Sequence, residues 1–247
     1  LIESVKIGHY RDFTDKLDAA LGEEKLDYII CNHTEPDHSG AIKNLLTRYP
    51  NVQVICSKPA SIYLKAMLNE DFNCRVAADG EEIALGNRRF RFIMAPFLHW
   101  PDTMFTYMPD EKILFSGDVF GCHFCPEKGK IFNDEAGDFS QAFKYYFDII
   151  MGPFKEHVLK AYEKIKDLPI EMIGTSHGPV HRKDVRQYIE QYRKWSLGAV
   201  REHDKKYIVI GYVSAYGFTR TIADKLYSTM AEDRRFDVEL IDLSEIG

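Results

Sequence analysis

No stretch of this 247-residue chain stays apolar for the roughly twenty residues that a membrane-crossing helix needs. The sequence therefore predicts no membrane association and a cytoplasmic location. An excess of positive charge is missing too: 32 lysines and arginines stand against 38 aspartates and glutamates, a formal net charge of −6. That balance argues against a broad nucleic-acid-binding face, and the densest basic cluster, Arg182–Arg186, lies at the start of a predicted helix. Cysteine is sparse and odd in number. Cys31, Cys56, Cys74, Cys122 and Cys125 fall at irregular spacing, which fits reduced cytosolic thiols better than a disulfide framework. Cys122-His123-Phe124-Cys125 has the spacing of a redox pair or half a zinc site but lacks a second pair, so a structural role is expected. No secretory leader is expected from these residues, and the sequence shows no internal repeat and no low-complexity segment. Leu1-Ile2-Glu3 reads as the tail of a strand, so further residues are expected to precede it.

Against those absences stands one dense stretch, His33-Thr34-Glu35-Pro36-Asp37-His38, followed by Ser39-Gly40. Six residues carry two imidazoles and two carboxylates, and Pro36 keeps the run from continuing as a regular helix. An apolar strand-like run, Leu26–Cys31, precedes it, and residues 41–49 have helical spacing with Ile42, Leu45 and Leu46 on one face. The loop is thus expected between strand and helix. Four donors on so short a loop cannot all face one ion, but they can face two neighbouring ions.

The rest alternates strands and helices. Helices are expected over Tyr10–Leu21, 59–68, 140–151, 153–166 and a polar one over 184–202. Strands are expected over 52–57, 74–77, 82–85, Arg88–Met94, 105–108, 112–115 and 170–175. Asp79-Gly80 and Gly86-Asn87 are expected hairpin turns, and Pro109-Asp110-Glu111 joins another strand pair. The order predicts a layered α/β fold. His99, Asp118 and His177 each stand where a strand meets a loop, the usual place for site residues on open α/β sheets.

This ordered set resembles the metallo-β-lactamase superfamily, and the resemblance implies its four-layer αββα sandwich. Hydrolytic zinc members generally carry His-x-His-x-Asp-His, whereas His33-x-Glu35-x-Asp37-His38 has the pattern of the flavodiiron proteins. The later histidine, aspartate and histidine follow at 61, 19 and 59 positions, again similar to that family. Carried over by position, the resemblance implies that His33, Glu35 and His99 bind one iron. Asp37, His38 and His177 would bind the other, with Asp118 bridging and His38 the member that some relatives turn away. Asp102 and His181 are close in sequence to these ligands and read as their hydrogen-bonding partners or as plain surface residues.

A second resemblance begins at Tyr207. A hydrophobic strand over 207–213 leads into Ser214-Ala215-Tyr216-Gly217-Phe218-Thr219 and an amphipathic helix over 220–230. Strand, hydroxyl- and glycine-bearing loop and helix N-terminus make an anion site from backbone N–H groups. The loop looks like the FMN-phosphate loop of flavodoxins, with Ser214, Tyr216, Gly217, Phe218 and Thr219 as the implied contacts. With one further strand over 236–242, this reads as the beginning of a flavodoxin-like doubly wound α/β domain, truncated after Gly247. The expected domains are 1–203 and 204–247. The resemblance implies an oxidoreductase with two non-haem irons and FMN that reduces dioxygen to water, nitric oxide to nitrous oxide, or both. It also implies a head-to-tail homodimer, the helix over 184–202 acting as a spacer, and an electron donor such as rubredoxin or reduced F420. The alternatives are a zinc hydrolase of the same superfamily and a non-enzymatic diiron oxygen sensor.

Overall fold

Alternating apolar residues along two sets of strands build the larger of two compact units. The structure, a computed structural model, describes residues 1–197, 206–233 and 235–245. Helix α1 (Tyr10–Leu21) leads to strand β1 (Tyr28–Cys31), the short helix α2 (Pro36–Ser39) and α3 (Ile42–Arg48). Strand β2 (Gln53–Cys56), helix α4 (Lys58–Leu68) and strand β3 (Cys74–Val76) follow. β1, β2 and β3 form one parallel sheet in that order.

Strands β4 (Glu82–Leu85), β5 (Arg88–Met94), β6 (Met104–Met108), β7 (Ile113–Gly117) and β8 (Met172–Thr175) form a second sheet in chain order. Its pairs are antiparallel except β7 with β8, the crossover carrying α5 (Ser140–Tyr146) and α6 (Lys155–Ile165). Helix α7 (Val185–Leu197) comes after β8.

Strand alternation sorts the side chains into three cores. Ile30 and Ile55 of the first sheet meet Phe92 and Met104 of the second between the sheets. Their neighbours Ile29, Cys31, Val54 and Cys56 face Leu17, Ile42, Leu45 and Leu64 of the first helix layer. On the far side, Ile93, Phe105, Leu114 and Ile173 face Phe143, Val158, Ile189 and Tyr192 of α5, α6 and α7. Helices, sheet, sheet, helices: this is the expected αββα sandwich.

Three local expectations change. β3 and β4 lie in different sheets, so Asp79-Gly80 turns the chain between layers and is not a hairpin; Gly86-Asn87 does close one, with Leu85 opposite Arg88. The helix from Ser140 widens after Tyr146 into a π-helical turn, Phe147–Met151. The helix expected over 184–202 begins at Val185, and its continuation over 198–202 lies outside the described residues, as does the boundary expected between 203 and 204. Nor is it a free spacer. Val185, Ile189, Tyr192 and Ser196 recur at helical spacing and are buried, Tyr192 among Phe143 and Phe147. The polar composition had concealed one apolar face.

The second unit has β9 (Lys206–Tyr212), α8 (Phe218–Ala231) and β10 (Phe236–Asp242), the two strands parallel and in register from Phe236 opposite Lys206. Phe92→Ala, which empties the space between the sheets, should destabilise the larger unit by about 3–5 kcal/mol. Ile62→Ala, on an exposed face of α4, should change stability by less than about 0.5 kcal/mol. Urea unfolding followed by circular dichroism distinguishes the two, and equal losses would contradict the three-core arrangement.

Candidate metal centre

Four separate chain segments bring donor side chains together at one edge of the sandwich. β1 ends at Cys31, and Asn32 pins the following loop to the second sheet: its Oδ1 accepts from Thr106 Oγ1 at 2.7 Å and its Nδ2 donates to Phe115 O at 3.3 Å. The Thr34 N–H donates to Asp102 Oδ2 at 2.8 Å, and Ser39 Oγ donates back to Thr34 O at 2.8 Å. Pro36 takes the first position of α2, where its missing N–H costs nothing. It therefore opens a helical turn, and the turn aims Asp37 and His38 at the same space as His33 and Glu35. His99 follows the loop after β5, Asp118 follows Gly117 at the end of β7, and His177 follows β8.

The donor atoms form two groups that share Asp118. Asp118 Oδ2 lies 3.0 Å from His99 Nε2 and 3.2 Å from His33 Nε2; Glu35 Oε2 lies 2.8 Å and 3.6 Å from the same two nitrogens. Asp118 Oδ1 lies 3.1 Å from His38 Nε2 and 3.4 Å from His177 Nε2, while Asp37 Oδ2 lies 3.5 Å and 3.1 Å from these. Ligands held about 2.1 Å from a common ion stand about 3.0–3.4 Å from one another, so both groups have the spacing of a metal shell. All seven residues expected as ligands are thus brought together, His38 included, in the expected division. His33 Nε2, His38 Nε2, Asp118 Oδ1 and Asp37 Oδ1 are buried without a hydrogen-bond partner in the protein, which suits them to hold a metal ion.

The electrostatics agree. Burial alone would lower the His33 and His38 pKa values. The Asp118 carboxylate, 3.2 Å and 3.1 Å from their Nε2 atoms, with Glu35 and Glu3 nearby, outweighs it and lifts His33 to about 10 and His38 to about 9. His99 moves the same way for the same reason. Burial would raise Asp118, but His33, His38 and His99 hold it well below the usual carboxylate range. His177 is lowered, chiefly by burial. These carboxylates need positive charge, and protons on imidazoles supply it where a metal could.

Glu3 was not anticipated. Its backbone sits at φ +62, its carboxylate is buried, and Oε2 lies 2.7 Å from His38 Nδ1 and 3.8 Å from His33 Nδ1, with Oε1 accepting from the Asn32 N–H. It pairs with the rear nitrogen of His38 and lies near that of His33, while the front nitrogens of both imidazoles face Asp118. Glu3, His33 and His38 also converge closely enough for an ion, but through those rear nitrogens. The available signal was the bridge-forming apolar dipeptide Leu1-Ile2, which leaves the following acid at the inner end of a strand. Tyr146 and His123 also border the site, their rings 6.3 Å and 5.4 Å from that of His177. Neither Asp102 nor His181 is a surface residue: Asp102 holds the Thr34 N–H, and His181 donates from Nε2 to Phe120 O at 2.8 Å, two residues beyond Asp118.

In the second unit, Gly217 at φ +83 caps α8, and the Arg220 N–H donates to Ser214 Oγ at 3.2 Å. Tyr216 and Phe218 are almost fully exposed. Phe218 and Thr219 belong to the first turn of α8, two residues earlier than expected, so their N–H groups lie at the positive end of a fourteen-residue helix.

The family described as ODP family beta lactamase matches residues 1–178. The type A flavoprotein fprA of Rhodobacter capsulatus is 38% identical over 98% of this chain and 57% of its own length. The flavo-diiron protein FprA2 of Clostridium acetobutylicum is 34% identical over 92% of this chain and 58% of its own. The crystal structure of the flavodiiron protein from Giardia intestinalis superposes with a TM-score of 0.73 at 31% identity, covering 99% of this chain and 59% of that one. The chain thus spans under two thirds of the length of the relatives it matches. Sandwich, paired donor groups and relatives agree: the chain belongs to the ODP family beta lactamases, and its relatives in sequence and structure are flavodiiron proteins.

Proposed function

We propose that this chain carries the diiron centre and the first part of the FMN domain of a cytoplasmic oxidoreductase that reduces dioxygen to water, nitric oxide to nitrous oxide, or both. The observation that carries the reading is the split of Asp118, one carboxylate oxygen toward each imidazole group, with Glu35 completing one of them. His33, Glu35 and His99 would hold one iron, Asp37, His38 and His177 the other, and Asp118 would bridge. Bound there, an iron pair supplies reversible one-electron chemistry at adjacent positions. The protein's own part is to fix the donors. Glu3 and the Asn32 network lock ring orientation, and burial of His33, His38 and Asp118 keeps water from competing for them.

Glu35, facing both His33 and His99, weighs against a zinc hydrolase, because an added carboxylate favours a metal that reaches a higher oxidation state. The β9–α8–β10 unit weighs against a flavin-free oxygen sensor. Its loop, with Ser214, Tyr216, Gly217, Phe218 and Thr219 at a helix N-terminus, suits the phosphate of FMN. The head-to-tail homodimer and a donor such as rubredoxin or reduced F420 belong to the same proposal. Since α7 is packed against the core, the dimer is supported by the family likeness and not by a spacer. Among the described residues no helix is long and apolar enough to cross a membrane.

Protein isolated with its metals should contain about two irons per chain, and Asp118→Ala should lose most of both, since one side chain serves both groups. Two native zincs with hydrolase activity and no oxidase activity would overturn the diiron reading. For the flavin, Thr219→Ala should weaken FMN binding by about 1.5–3 kcal/mol, the worth of a hydrogen bond to a charged group. An unchanged affinity in a fluorescence titration would remove this loop from the phosphate site. Subunit mixing tests the dimer. A variant lacking iron (His99→Ala, Asp118→Ala) combined with one lacking FMN should regain activity in heterodimers, and heterodimers without activity would defeat it.

A further inference from the structure

The three cysteines of the first sheet do not stand alone. β2 and β3 run parallel with Val54 opposite Cys74 and Cys56 opposite Val76. Cys56 and Cys74 are therefore two positions apart in register and project from the same face, toward α4. Their sulfurs are 3.7 Å apart. Closing to the ~2 Å of an S–S bond brings the two sulfurs together from an existing contact, by side-chain rotation with any shift of the β2–β3 edge that the diagonal pairing requires. Cys56 is fully buried and Cys74 half-buried, so one member is within reach of solvent and the other stands behind it. The remaining thiols are placed otherwise. Cys31, beside Cys56 on β1, donates its S–H to His33 O at 3.1 Å; Cys122 is buried against Gly178; Cys125 is exposed.

We propose that Cys56 and Cys74 are a reversible thiol–disulfide site, with Cys74 the attacking thiol and a small-molecule disulfide the oxidant. The Cys74 thiolate attacks one sulfur of the small disulfide, forming a mixed disulfide and expelling one small thiolate, which takes up the proton lost from Cys74. Cys56, giving up its proton, attacks the Cys74 sulfur and expels the second small thiolate, which takes that proton. One S–S bond is broken and one formed; the electron pair leaves the two cysteines and resides on two small thiols. The local field favours this order. The hydrogen bond from Cys56, aided by Lys58, lowers the Cys74 thiol, and the same bond, with burial, pushes Cys56 up. Ser57, directly after Cys56, caps α4, so Cys56 lies beside the N-terminal end of that helix.

The test is thiol mapping on the full, metal-loaded chain held without oxygen. After incubation with oxidised glutathione and alkylation under denaturing conditions, a peptide map run without reductant should show Cys56 joined to Cys74. Five alkylatable cysteines should fall to three if Cys31, Cys122 and Cys125 stay free, and dithiothreitol should restore the two lost. In Cys56→Ser the glutathione should remain on Cys74, and in Cys74→Ser no cross-link to Cys56 should form. Recovery of both Cys56 and Cys74 as alkylated residues in the untouched sequence, or a cross-link joining Cys56 to Cys31, would overturn the proposal.

Discussion

One buried carboxylate organises the site. Asp118 is 2% exposed, and a carboxylate so far from water is tolerated only where positive charge or several donors meet it. Four imidazole nitrogens do so, two at each oxygen, and Glu35 and Asp37 add negative charge at the outer sides. The carboxylates around them raise the proton affinity of His33 and His38 well above that of a free imidazole, so a metal binding there would compete with protons. Metal binding at such a place displaces protons that the protein already needs.

Holding the box in shape is the work of residues that do not enter it. Glu3 fixes His38 from behind, Asn32 ties the first loop to β6 and β7, and Asp102 takes the Thr34 N–H between two ligands. The His177 loop is pressed equally closely against the Asp118 loop. Gly178 sits at φ +80, and a Cβ there would come within 2.6 Å of Cys122 Sγ and 2.8 Å of Cys122 O, while the Cys122 N–H donates to His177 O at 3.1 Å. A side chain at Gly178 would separate Asp118 from the His177 imidazole. The sheets place the strand ends, and these hydrogen bonds set the last ångströms.

What the sequence disclosed follows from the range of the forces involved. His33, Glu35, Asp37 and His38 were legible because four donors in six residues is a local signal, and His99, Asp118 and His177 because each ends an apolar strand. Glu3 was not, since its partners are thirty and thirty-five residues away and only the Ile2–Ile30 bridge brings them close. The turn at Asp79-Gly80 was misread for a related reason: a turn dipeptide says that the chain reverses, not which sheet receives it. In α7, counting polar residues hid Val185, Ile189 and Tyr192, although their spacing carried the signal. The nearness of Cys56 and Cys74 depends on the register of β2 against β3, which no local pattern encodes.

The choice of a carboxylate at position 35 has a consequence that reaches past geometry. Glu35 Oε2 lies between His33 and His99 on the side away from His38 and His177, so the two groups are not equivalent in shape, yet each contains one carboxylate of its own and a share of Asp118. On the proposed reading, three carboxylates would nearly balance two divalent ions and would leave room for positive charge to grow by oxidation. With an imidazole at 35 the same box would hold one negative charge fewer, keeping an ion more electrophilic and better suited to polarising water than to changing oxidation state. The one position that departs from the hydrolytic pattern is therefore the one that adjusts the charge of the site, while Asp37, His38, His99, Asp118 and His177 can serve either chemistry unchanged.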